Sequence, residues 1–495
     1  MKKICSALLF AAALTLGAAE TLTVSRNGDN LTIKSPFADG WTLTRGGWTG
    51  GPNRQYNFRY ATLSKEKVKN IVVKNSSDDA CPVNLNGSYL GANHGDSAAS
   101  ALIFAEPHGL GTRDRGTEWL DSKGRKFYIL RIETPTVIQV LSENLSQEKD
   151  IWKFVRPAAG ETLTRADGRV LKDFKVQIRQ LRPQVRIVSR KYLADGKPLE
   201  DKSEVECSVF TVEEEYDVIA TDAVLKHVIA NPGKAVAFNA PGLEAVLNQK
   251  IVYRYYPDGS CIVEHETRFL RNVRMGYLGF IQAHPMTKGK YGRQLFRIPK
   301  TKPFAHDGEE LDFADGVDLT RPIKKSVYLT AGMFADPKNM PERFLQYLSE
   351  GEGLPEIGFV CGYSLLEGCT VPEQRRKNAG TALYLYSKTR KTYPHAIDNG
   401  RIKVVKAGTV FRCTAYRQYF DPARGYYLNR QGECRVMYVD FPAPAAGKVI
   451  TIPEELRKMR MELVEKSPSV QYRREGSELK FDSAGKNGYC VLKFR

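Results

Sequence analysis

From residue 20 onward, apolar and polar positions alternate in short runs, each closed by Gly, Pro, Asn or Asp. A period of two puts alternate side chains on opposite faces of a pleated strand, so these runs predict half-buried strands. Strands are expected at Thr21–Arg26, Asn30–Ser35, Phe127–Glu133, Thr136–Leu141, Phe174–Ile178, Val185–Tyr192 and Gly408–Tyr419. The sharpest local signal is a hairpin: Lys250–Tyr256, then Pro257-Asp258-Gly259-Ser260, then Cys261–Phe269. Asp-Gly between two alternating runs marks a tight turn. Helical periods are rare, the best being Pro341–Glu350, with a further turn at Pro453–Met459. No exact repeat, Gly/Ser linker or low-complexity segment interrupts the pattern. Many short strands with few helices predict an all-β fold over residues 20–495: a sandwich, a barrel or a propeller, the last being economical at this length.

The first 19 residues follow a different rule. Met1-Lys2-Lys3 is basic, Ile4–Leu16 is apolar, and Gly17-Ala18-Ala19 offers small residues for cleavage. This is the three-part pattern of a secretory signal peptide over residues 1–19, with a buried N-terminal helix as the alternative. The apolar run is too short to span a bilayer, and no later run reaches the length of a spanning helix. A secreted or periplasmic protein without a membrane span is therefore expected.

Composition then narrows the partners. The 74 Lys and Arg against 56 Asp and Glu give a net charge of +18; loss of Lys2 and Lys3 leaves +16. A basic exported protein attracts polyanions, whether nucleic acid, anionic lipid or acidic polysaccharide. The basic residues are dispersed and no nucleic-acid motif accompanies them, which disfavours nucleic acid. Eight of the nine cysteines follow the leader: Cys81, Cys207, Cys261, Cys361, Cys369, Cys413, Cys434 and Cys490. An even count outside the cytoplasm permits disulfides, although lone strand cysteines are commonly buried thiols.

Three groups of residues offer chemistry. In the polar stretch Asn86–Tyr128, His94 sits in a turn beside Gly91, Asn93 and Gly95, and His108 follows in a second glycine-rich turn. Histidine is the side chain best suited to proton transfer near neutrality, although two idle surface histidines read the same way. A two-residue Asp258-Gly259 turn would place Tyr253 and Tyr255 on one face with Ile262, Glu264, Glu266 and Arg268, and Arg271, Asn272 and Arg274 follow. A phenol beside a guanidinium suits an acidic substrate; aromatic packing across the hairpin is the alternative. His284, Cys361, Cys369 and His395 combine thiols and imidazoles as a structural zinc site would, though a Cys361–Cys369 disulfide fits equally. A P-loop, HExxH and GxSxG are all absent.

The Gly91-Ala-Asn-His-Gly-Asp turn, the run His108-Gly-Leu through Asp114-x-Gly-x-x-Trp119-x-Asp121 to Phe127-Tyr128, and the hairpin leading into Gly276-Tyr-Leu-Gly-Phe-Ile-Gln resemble the ulvan lyases, polysaccharide lyase families 24 and 25. The resemblance is strongest over 86–282. It implies a seven-bladed β-propeller that cleaves a uronate-bearing, sulfated polysaccharide by β-elimination, acting as a monomer. By motif, His94 matches the histidine of the turn, and His108 a second active-site histidine, closer to His94 than in those families. Tyr253 and Arg268 match the Tyr/Arg pair, with Tyr255 and Arg271 as the alternative, and Asn272 a further carboxylate contact. No cofactor serves catalysis; a structural zinc is implied, with Cys361 and His395 as ligands. Elimination needs the carboxylate neutralised, a base at C5 and an acid at O4. Two other readings stand beside it. A propeller glycoside hydrolase would draw on Asp114, Glu118 and Asp121, and a non-catalytic binder of acidic glycan would need the positive charge alone.

Overall fold

In the computed structural model, the described residues are 21–49, 56–66, 68–78, 99–105, 114, 117–134, 137–142, 146–148, 151–153, 160–172, 174–177, 184–219, 231, 243–275, 278–279, 293–299, 304–306, 309–318, 327–329, 343–349, 355–363, 382–386, 391–397 and 403–495. The leader read over residues 1–19 lies outside them. The described chain is almost wholly β. The strands expected from alternation are present with ends displaced by a residue or two, among them Leu22–Asn27, Asn30–Pro36, Lys126–Thr134, Gln184–Ala194 and Val410–Phe420. The turn expected near Pro453 is the short helix Glu454–Arg457. No helix among the described residues is long and apolar enough to cross a membrane.

A ten-stranded antiparallel sheet forms the centre. Its order is Lys197–Pro198, Gln184–Ala194, Phe210–Ile219, Ala245–Tyr255, Ser260–Phe269, Val410–Phe420, Ile357–Tyr363, Arg343–Ser349, Arg293–Arg297 and Val317–Asp318. A six-stranded sheet supplies Leu22, Val24, Leu31, Ile33, Leu43 and Leu63 to one core with Val212, Tyr216, Ile251, Tyr253, Val263 and Tyr419 of the central sheet. Beyond residue 426 the chain folds into paired sheets of four and three strands. Their own core includes Met437, Val439, Ile450, Leu479, Phe481 and Leu492. This C-terminal sandwich packs Tyr427, Val436, Tyr438 and Val491 against Leu345, Val360, Tyr416 and Phe420 of the central sheet.

The central sheet is thus covered on both faces where its strands meet the sandwich. In Val410–Phe420, Ala415 and Tyr419 enter the first core, whereas Tyr416 and Phe420 face the sandwich. Double coverage explains one departure from expectation. The segment Pro341–Glu350, which has a helical period, contains the strand Arg343–Ser349, nearly all of it buried. With both faces covered, polar alternation disappears, and a buried strand resembles a helix in sequence. The propeller expectation changes as well. The described strands build sheets of six, seven and ten strands beside smaller ones of two to four, with no closed ring of equal blades among the described residues. Strands of ten or eleven residues, such as Phe210–Ile219 and Ala245–Tyr255, pair along their length, which extends one sheet sideways.

Candidate functional site

The hairpin decides the fate of the Tyr/Arg pair. Tyr256 N–H donates to the Ser260 carbonyl at 3.0 Å, and Gly259 N–H to the Tyr256 carbonyl at 3.3 Å. Gly259 has φ +79°. The loop is therefore three residues, Pro257-Asp258-Gly259, with the glycine in the left-handed region that closes such a loop. One extra loop residue shifts the register by one and moves every side chain to the other face. Tyr255 lies opposite Cys261 and Tyr253 opposite Val263, while Arg254 and Val252 lie opposite Ile262 and Glu264. Tyr253 is 1% exposed in the core. The Arg268 side chain is 55% exposed on the other face, against Glu266. Tyr253 and Arg268 cannot converge on one substrate.

The remaining expected residues are also separated. Arg271 pairs with Glu244 at 2.6 Å. Exposed Asn272 accepts a hydrogen bond from Ala407 N–H at 3.0 Å through Oδ1, which makes it a loop tie. Cys361 is buried in the central sheet, whereas His395 belongs to a separate four-stranded sheet, in register with Ala382. Among the described residues no group of three His, Cys, Asp or Glu side chains forms a metal site. Cys207, Cys261, Cys434 and Cys490 are thiols. His94, His108, His284 and Cys369 lie outside the described residues.

The carboxylates considered for hydrolysis have structural partners. Buried Asp114 accepts from Arg165 at 3.1 Å and from Arg169. Glu118 pairs with Lys126 at 3.1 Å. Buried Asp121 accepts from the backbone N–H groups of Lys123 and Arg125 at 3.0 and 2.8 Å, and from the Arg125 guanidinium. Burial alone would raise its pKa, but these donors outweigh it and hold the carboxyl below its ordinary value. Such a carboxylate stabilises the fold above the unfolded pKa, and the contribution is lost as pH falls through the lower folded value. Asp121→Asn is expected to cost about 1–3 kcal/mol at pH 7. Urea unfolding should show this difference shrinking below about pH 4; an equal difference at pH 7 and pH 3 would contradict the assignment.

Inside the first core, at the hairpin tip, lies a cavity of about 10 Å³ lined by Arg45, Tyr253, Tyr255, Gly259, Cys261, Phe359, Arg417 and Tyr419. Arg45 donates to the carbonyls of Gly259, Ser260 and Tyr256 at 3.1–3.2 Å. The Tyr255 and Tyr56 hydroxyls are 2.8 Å apart. Tyr56 N–H donates to Glu214, which in turn accepts from Arg190 at 2.6 Å. Burial raises the pKa values of Tyr56, Tyr255 and Tyr419, and pushes Cys261 up to about 12. His265, buried beside Gln249 and Thr267, is pushed down to about 3 by burial. The phenols and the thiol therefore stay protonated near neutrality, and a cavity with room for one water admits no sugar. This cluster is an internal polar junction rather than a substrate cleft.

The surface offers a stronger candidate. In the C-terminal sandwich, Arg460 and Arg495 exchange backbone hydrogen bonds at 2.8 and 2.9 Å. The Arg474 guanidinium reaches the Arg457 carbonyl at 3.3 Å, and Arg457 Nε reaches the Ile452 carbonyl at 3.1 Å. With Lys458, these interactions gather five exposed cations at one corner. Arg495 pairs with Glu462 at 3.0 Å. Arg457 and Arg474 donate to carbonyls, which orient a guanidinium without neutralising it. By contrast, the exposed face of the central sheet is an alternating lattice of ion pairs, including Arg186–Asp217, Lys250–Glu215, Arg254–Glu264 and Arg412–Glu266. Sequence reading missed the corner because its cations come from separate strands and a short helix; the local excess of Arg and Lys over 457–460 was the available signal.

No family model and no curated protein matches the sequence. Solved structures do match. A GalM/aldose epimerase homologue from C. elegans is 10% identical with TM-score 0.30, covering 81% of this chain and 99% of its own. A galactose 1-epimerase from Lactobacillus acidophilus is 10% identical with TM-score 0.28, covering 81% and 98%. A protein from Synechocystis, also 10% identical with TM-score 0.28, covers 79% and 96%. Likeness at this level is no argument for a shared activity. The hairpin register, however, separates the Tyr/Arg pair that elimination was to use. The expectation of a polysaccharide lyase is corrected accordingly.

Proposed function

We propose that this is an exported carbohydrate-binding protein whose ligand is an acidic glycan, held by charge. The observation that carries the reading is the corner formed by Arg457, Lys458, Arg460, Arg474 and Arg495, where five exposed cations are gathered, Arg495 paired with Glu462 and Glu454 and Glu455 standing on the same short helix as Arg457. Arginine binds carboxylate and sulfate oxygens through two N–H groups at once, and a cluster raises the local concentration of a polyanion. The net charge, +18 for the whole chain and +16 without Lys2 and Lys3, acts in the same direction. The leader read at residues 1–19 supports a glycan over a nucleic acid, because an exported protein would meet glycans rather than nucleic acid.

The test is retention on immobilised sulfated and uronate-bearing glycans, with a neutral glucan as control, at increasing salt. Binding to the acidic glycans is expected, with steep loss above about 0.15 M salt as the Debye length falls below about 8 Å. Lys458→Glu with Arg460→Glu reverses two charges at side chains outside the hydrogen bonds described above, and is expected to weaken binding on the order of tenfold or more. Retention unchanged by this variant, or equal on neutral glucan, would remove the proposal. Acceleration of anomer interconversion in a free aldose would replace it with the activity for which the epimerase structures are named.

A further inference from the structure

The cation corner contains a juxtaposition that sheet geometry disfavours. Arg460 and Arg495 exchange both backbone hydrogen bonds, at 2.8 and 2.9 Å, so they stand directly opposite each other and their side chains leave the same face. Like charges in that position repel. Glu462, two residues beyond Arg460 on the edge strand Met461–Lys466, shares the face by alternation. Its Oε2 meets Arg495 Nη2 at 3.0 Å. No other carboxylate among the described residues pairs with either arginine. Glu454, exposed on the short helix, belongs to no ion pair among the described residues. Glu462 is thus the internal anion seated on the paired arginines, and Lys493 lies directly opposite it in the strand register.

Both partners are about half exposed, 56% for the Arg495 side chain and 52% for Glu462. An exposed pair of this kind is weak and gives way to competing ions. An anionic group approaching the two guanidiniums from solvent must take the place that Glu462 occupies on Arg495. We infer, resting on the glycan-binding reading above, that Glu462 is a built-in competitor for the anionic group of the ligand and so sets the affinity of the corner. In the free protein its carboxylate relieves the repulsion between Arg460 and Arg495. In the complex the glycan anion does so instead, and Glu462 turns toward Lys493. A polymer presents many anionic groups at once, so its effective concentration at the corner is high and it displaces Glu462 more readily than a single small anion does.

Retention of the full chain on immobilised dextran sulfate, with dextran as the neutral control, tests this. Glu462→Gln is expected to tighten binding about fivefold, the scale of one exposed ion pair, and to raise the salt needed for elution. Glu454→Gln removes the same charge from the same corner without freeing an arginine, and should gain about twofold or less. In an Arg495→Gln background, which binds more weakly, Glu462→Gln should gain no more than Glu454→Gln does. All three positions are exposed, and matching Tm values show that the variants are folded. Equal gains for Glu462→Gln and Glu454→Gln, or a full gain that persists without Arg495, would overturn the inference and leave the glycan reading standing. Absence of retention for both the parent and Glu462→Gln would remove the glycan reading itself, and the inference with it.

Discussion

Asp440→Ala is expected to lower the unfolding free energy by about 3–5 kcal/mol, the scale for removing one partner of a buried ion pair. Asp440 and Arg343 are each 6% exposed and meet at 3.0 Å. Tyr427 completes the group: its hydroxyl accepts from Arg343 Nε and donates to Asp440 Oδ2 at 2.7 Å. Arg343 also lies 4.2 Å from the Tyr438 ring centroid. Burial alone would lower the Arg343 pKa, but Tyr427 and Asp440 outweigh it and hold the guanidinium charged. Without Asp440, a charge stays buried between the central sheet and the sandwich, and Tyr427 loses its acceptor. The sandwich should then separate in unfolding, giving two urea transitions and early proteolysis near residues 421–426. Arg343→Met combined with Asp440→Leu should be less damaging than Asp440→Ala alone, because removing both charges removes the desolvation penalty as well. A single variant within about 1 kcal/mol of the parent would show that the pair does not join the layers.

Gly259→Ala is expected to cost about 2–5 kcal/mol, the sum of two separate effects. The residue has φ +79°, which costs an L side chain about 1–2 kcal/mol. A Cβ there would also stand 2.4 Å from the Tyr419 carbonyl oxygen, a backbone atom that can give way only by moving its strand; overpacking of this kind costs about 1–3 kcal/mol. Gly196→Ala is the control, since Gly196 has φ +78° with open space around it, and should show the first effect alone, about 1–2 kcal/mol. Equal losses for the two variants in urea unfolding would mean that the close approach to Tyr419 relaxes freely.

Gly259 also marks where sequence reading succeeded and where it failed. The hairpin was legible, since Asp-Gly between alternating runs occurs where it should. Its parity was not. A two-residue and a three-residue loop share the string Pro-Asp-Gly-Ser, and the choice depends on which backbone N–H closes the turn. That choice is reinforced from outside: Arg45 binds the loop carbonyls from one side, and Arg430 holds Asp258 while covering the Tyr256 ring at 4.0 Å from the other. The candidate surface was less legible still. Arg460 and Arg495 are neighbours through a backbone bridge, and nothing in their 35-residue separation announces it.

The strands at Asn30–Pro36 and Val410–Phe420, the hairpin's existence and the helical turn at Glu454 were set by the sequence itself, because alternation and turn residues act over a few residues. Three matters depended on the tertiary structure. Arg343–Ser349 is a strand because two layers cover it, so its own pattern carries no polar face. Tyr253 is a core residue because one additional loop residue turned it inward, away from Arg268. The five cations of the sandwich corner meet because long-range pairing brings them together. Local chemistry writes the elements; which face of each is buried, and what meets across it, is settled only when the layers pack.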